Sequence, residues 1–123
     1  MTSFKKMIVL FLFAVTISGC IHRGHREGDY YFGTYSEAEI SYNRKEYQKA
    51  IQRYQSYIDE NPEGNLAVIS QYYIAKSHMA LGHFDEAKAL FSKILNEHPD
   101  MVWANFSEGQ LKEIEKSAAE PKK

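Results

Sequence analysis

The chain has 123 residues, a formal charge of −1 from 15 Lys+Arg against 16 Asp+Glu, 44% hydrophobic residues and one cysteine. That length suits a single small domain, and the balanced charge offers no basic excess for neutralising phosphates, which argues against a nucleic-acid partner. One cysteine excludes an internal disulfide framework and any Cys-rich metal knot.

At the N-terminus, Lys5 and Lys6 precede an apolar run from Met7 to Ile17, and the small residues Ser18 and Gly19 lead into Cys20. Charged, apolar and small regions in that order mark a secretory signal. As a helix, Met7 to Gly19 would reach only about 20 Å, short of the roughly 30 Å hydrocarbon core of a bilayer, so a membrane-spanning anchor is disfavoured. The quartet Ile17-Ser18-Gly19-Cys20 resembles the lipobox of bacterial lipoproteins. The resemblance implies that residues 1–19 are a signal peptide cut away before Cys20, whose thiol is diacylated and whose new amino group is acylated. Residues 20–123 would then carry 13 basic against 16 acidic side chains, a net charge of −3. Several acyl chains anchor stably without help from a polybasic patch. In lipoproteins of Gram-negative type an aspartate after the cysteine goes with inner-membrane retention; Ile21 implies the outer membrane, with the domain on its periplasmic side.

Residues 20–33 are polar and glycine-punctuated, without apolar periodicity, and read as a lipidated tether. Fully extended it would reach at most about 40 Å at roughly 3.3 Å per residue. His22 and His25 make a His-x-x-His pair, but two ligands on a flexible segment form a weak metal site. A soluble spacer is the simpler reading.

From Thr34 the sequence becomes repetitive. The run from Glu46 to Tyr54 recurs 37 residues later as His83 to Phe91: Tyr47 matches Phe84, Ala50 matches Ala87, Tyr54 matches Phe91, Tyr57-Ile58 match Ile94-Leu95, and Pro62 matches Pro99. Each copy parses as a helical hairpin, and the apolar spacing predicts helices over 35–44, 46–61, 66–81, 84–97 and 101–116. Ser36-x-x-Glu39 forms a candidate capping box for the first, with Tyr35, Ala38 and Tyr42 on one face. Tyr72, Ala75 and Met79 share a stripe of the third, Gly82 supplies its stop, and Asp100 is a candidate N-cap for the fifth. The domain is expected over 34–116, with a disordered tail over 117–123.

This pattern resembles the tetratricopeptide repeat, in which a small residue late in helix A is followed in helix B by an aromatic, an alanine, a second aromatic and a terminal proline. Ala38, Tyr47, Ala50, Tyr54 and Pro62 fill those positions in the first copy; Ala75, Phe84, Ala87, Phe91 and Pro99 fill them in the second. An all-α fold follows, two hairpins plus a C-terminal capping helix in a short α-solenoid. Small side chains let helices cross closely while aromatics fill the adjoining grooves. The first copy departs from the pattern, with Glu37 where the second has Ile74 and Lys45 where it has Gly82, and is expected to be the looser one. The 37-residue period exceeds the usual about 34 and is expected to lengthen the turn around Pro62 to Leu66. Together with the lipobox, that period is similar to the repeats of BamD-type lipoproteins of the barrel-assembly machinery and of the periplasmic repeat protein of the Tol-Pal system. The chain is too short for the full BamD-type array.

In such repeats helix A lines a concave surface. By that register Tyr35, Glu39 and Tyr42 lie beside Ile69, Tyr72, Lys76 and Met79, and Trp103, Phe106 and Gln110 continue the row. Rigid aromatics with a few charges suit a peptide groove; the same aromatics could instead be core, and both readings stand at this point. No metal-protease His-Glu-x-x-His, phosphate loop or serine elbow is present. His78, His83 and His98 are scattered without evident partners, and Asp85-Glu86 suit a helix N-terminus. No enzyme activity, cofactor or metal is expected. The expected function is protein binding, as a lipid-anchored scaffold or adaptor of an envelope assembly, secretion or division complex. The alternatives are a self-associating structural lipoprotein and a cell-wall glycan or peptide binder.

Overall fold

The computed structural model describes residues 32–119. The signal segment, Cys20, the tether up to residue 31 with its His22/His25 pair, and residues 120–123 lie outside the described residues. Among the described residues, five helices follow one another: α1 (Thr34–Asn43), α2 (Tyr47–Glu60), α3 (Asn65–Ala80), α4 (Phe84–Glu97) and α5 (Val102–Ala119). Each packs against the next, and α1 also meets α3 while α3 meets α5. Two helical hairpins therefore stack side by side, with α5 as the opening helix of a third unit.

The alanines act as the sequence requires. Ala38, Ala50, Ala75, Ala87 and Ala104 are fully buried, as are Tyr54, Phe91 and Ile94. Burial repeats with the 37-residue period beyond the matches visible in helix B. Tyr35 and Tyr72 are both buried, as are Ala67 and Ala104, and Ser70 and Ser107. That register identifies α5 as equivalent to α3. Buried serines serve as small crossing residues, and two of them return their hydroxyls to their own helix: Ser70 Oγ donates to the Leu66 carbonyl at 2.7 Å and Ser77 Oγ to that of Tyr73 at 2.8 Å.

Two clusters make the core. One gathers Tyr35, Ala38, Ala50, Tyr54 and Ile74; the other gathers Val68, Tyr72, Ala75, Ala87, Phe91, Ile94 and Ile114; Tyr73 and Leu90 pack against both. Helix α3, touched by four helices, is buried on nearly every side, so its apolar stripe is broad and weakly one-sided.

Both hairpin turns are Schellman motifs. In the first, Lys45 N–H donates to the Tyr42 carbonyl and Glu46 N–H to that of Ser41, each at 2.9 Å; in the second, Gly82 N–H donates to Met79 at 3.1 Å and His83 N–H to His78 at 2.9 Å. The motif needs a left-handed residue, supplied by Lys45 at φ 62° and Gly82 at φ 79°. The glycine missing from the first repeat has thus not changed the turn.

Several local expectations are corrected. Ser36 does not cap α1 from outside. It lies inside the helix, three positions past Gly33 at the cap, and its Oγ accepts the Phe32 N–H at 2.8 Å. Position 37 is not a weak point, because the Arg53 guanidinium donates to the Glu37 carbonyl at 3.1 Å and to Ser41 Oγ at 2.9 Å, and lies 3.9 Å from the Glu37 carboxylate. The connection between hairpins spans only 61–64, with Leu66 already in α3, so the longer period is not taken up there. Met101, not Asp100, immediately precedes α5. Helix α5 also continues to Ala119, three residues beyond its expected end. Ser117-Ala118-Ala119 lack a breaker, and Ser117 Oγ donates to the Glu113 carbonyl at 2.9 Å. Among the described residues, no helix is long and apolar enough to cross a membrane.

Candidate functional site

The row formed by α1, α3 and α5 is where a helix-A groove would lie, and contacts across it show how its side chains are used. Tyr42 packs edge-on to Tyr73 at 5.0 Å between ring centroids. Tyr72 lies 5.0 Å from Trp103 and 6.4 Å from Phe106, Tyr73 lies 6.3 Å from Trp103, and Trp103 meets Phe106 at 5.4 Å. Lys76 Nζ donates to Gln110 Oε1 at 2.9 Å.

Burial divides the expected groove residues. Tyr35, at 6% exposure, sits edge-on between Tyr54 and Tyr57, and Tyr72, at 9%, packs against Phe91; both belong to the core. Tyr42 and Ile69 are half-buried against the first cluster, and Met79 and Trp103 against the second. Glu39, Lys76 and Gln110 are half-buried, while Phe106 is 49% exposed. The face therefore presents one open aromatic, Phe106, beside the Lys76–Gln110 pair, over a floor of rings that hold the helices together.

Tyr73 belongs to this floor and escaped the sequence reading. It stacks on Tyr54 at 5.7 Å with the rings 12° from parallel. Its counterparts one period away are Ser36 and Gln110, so no repeat match announces it; being adjacent to Tyr72 in an all-round-buried helix was the only signal. Burial raises the proton affinity of Tyr35, Tyr42, Tyr54 and Tyr72 above the ordinary tyrosine value. At Tyr35 the charge and hydrogen-bond acceptance of the neighbouring Glu39 add to the effect.

The histidines are not all isolated. His78 and His83 meet across the α3–α4 turn with Nδ1 atoms 3.4 Å apart and ring centroids 5.7 Å apart. Burial lowers the proton affinity of His78; the Glu86 charge opposes this and His83 adds to it. His98 is the half-buried C-cap of α4. Among the described residues no group of three or more His, Cys, Asp and Glu is arranged to hold a metal ion.

Comparison with known proteins agrees with this geometry. A family model described as tetratricopeptide repeat matches residues 43–106, which run from the last residue of α1 through α2, α3 and α4 into α5. No curated protein matches the chain. Tetratricopeptide repeats serve as protein-interaction modules. With just over half of its length matched, the chain belongs to the tetratricopeptide-repeat family.

Proposed function

We propose that this protein is a lipoprotein of the bacterial outer membrane that faces the periplasm and acts as a scaffold or adaptor in an envelope assembly, secretion or division complex. The observation that carries the binding role is the α1–α3–α5 face, where half-exposed Phe106 adjoins Trp103 and the Lys76–Gln110 pair. An aromatic anchor beside a charge and an amide suits an extended or helical peptide segment. The membrane role rests on Ile17-Ser18-Gly19-Cys20 behind its basic and apolar segments.

The binding surface is tested with Phe106→Ala combined with Lys76→Glu, because Phe106 is exposed, Lys76 is half-buried and Gln110 can turn its amide toward a carboxylate at position 76. Partner recovery from native membranes should be lost with the fold retained and the melting temperature lowered by a few degrees at most, whereas Lys93→Glu on exposed α4 surface should recover partners normally. Retained recovery in the stable double variant would place the interface elsewhere. The anchor is tested with Cys20→Ser: incorporation of a clickable fatty acid should vanish and the protein should leave the outer-membrane fraction. Label persisting on that variant would end the lipoprotein reading.

A further inference from the structure

We propose that His78 and His83 form a two-imidazole site for a divalent transition-metal ion of the zinc type, clamping the α3–α4 turn. The backbone creates the juxtaposition. In a Schellman motif the residue at the third position from the helix end and the second residue past its cap fall side by side; here those are His78 and His83, tied by the 2.9 Å bond from His83 N–H to the His78 carbonyl. The same positions of the first hairpin hold Ser41 and Glu46, so only the second turn carries the pair.

The separation of the ring nitrogens suits a shared ion. At 3.4 Å the Nδ1 atoms are close enough for a long hydrogen bond in one pair of tautomers, and the same spacing accommodates a metal ion between them. Two nitrogens each about 2.0–2.1 Å from one zinc ion at a tetrahedral angle are about 3.3–3.4 Å apart. Imidazole nitrogen suits zinc, copper and nickel, and it binds them as the neutral base, the form that burial favours at His78. Glu86, one turn into α4, is the carboxylate whose charge acts on His78 and adds negative potential beside the ion. Water fills the remaining coordination positions, which makes this an open site of moderate affinity, unlike a closed four-ligand structural one.

The test is a calorimetric titration of zinc chloride into the full chain near neutral pH, with melting curves with and without the ion. One ion should bind per chain and raise the melting temperature, since it joins two helices only in the folded state. His83→Gln, at an exposed position, should weaken binding at least about tenfold by removing one of two protein ligands, and should abolish the melting shift while leaving the circular dichroism spectrum intact. His78→Gln should do the same. His22→Gln with His25→Gln is run in parallel, because the tether offers a second pair. Binding lost in that variant but kept in His83→Gln, binding unchanged in every variant, or no binding by the parent chain would each overturn the assignment.

Discussion

Lys45 and Gly82 occupy the same left-handed position of the same turn, one period apart, and only one of them suits it. A residue with a Cβ in that conformation costs roughly 1–2 kcal/mol, and Lys45 bears that cost at φ 62°. Replacing it by glycine removes the strain, while glycine's greater freedom in the unfolded chain offsets part of the gain. Lys45→Gly is therefore expected to stabilise the fold by about 0.5–1 kcal/mol, a rise of a few degrees in melting temperature. The converse, Gly82→Ala, should cost about 1 kcal/mol. Nothing lies within 4 Å of the Cβ it would add, so the loss would be that of the backbone alone. Thermal or urea melts of the two variants should move in opposite directions; movement in the same direction would contradict the equivalence of the turns.

At the scale of the helix, close crossing at alanine is what allows five short elements to share so little core. Ala87 is fully buried beside Phe91 and Tyr72 in one cluster, and Ala87→Leu should overpack that crossing and cost on the order of 1–3 kcal/mol. A melt indistinguishable from the parent's would mean that the crossing is not where the repeat register puts it. Tyr72 is the complementary case. Its ring contacts Tyr73, Phe91 and Trp103, so Tyr72→Ala should cost about 3 kcal/mol or more, as for other buried aromatics cut to alanine. Phe106→Ala, on the open side of the same row, should cost well under half of that. Measuring both by urea denaturation separates floor from surface within one aromatic row.

Across the described helices, tyrosine rings form a continuous path. Tyr57, Tyr35 and Tyr54 lead to Tyr73, which meets Tyr42, Tyr72 and Trp103 and so joins one hairpin to the next. This construction has a consequence at high pH. Burial raises Tyr35, Tyr42, Tyr54 and Tyr72 above the ordinary 10.0, so the folded state holds these protons after the unfolded chain has released them. Their contribution to stability is then complete below about pH 10 and falls as pH rises toward the folded-state values. Stability measured in urea should decline above pH 10, and unfolding should bring cooperative ionisation of the buried rings, read by phenolate absorbance alongside helicity. Smooth titration of all tyrosines near 10 with helicity retained would contradict the burial of this path.

The helices and their pairing were legible in the chain because their causes are local or periodic. Alanines and aromatics recur at a fixed offset, prolines at 62 and 99 end helices, and the offset itself dictates stacking. Sequence periodicity could not assign depth to the aromatic row. A ring at helical spacing is compatible with groove or core, and whether Tyr35 and Tyr72 point at neighbours or at solvent depends on how closely α2, α4 and α5 approach them. Nor could it show that Tyr73 joins the two clusters, that Arg53 meets Glu37 from another helix, or that the second turn presses His78 against His83. Those contacts arise from helix crossings and from a turn geometry that Lys45 and Gly82 share despite their different chemistry. They exist only once the hairpins close and stack.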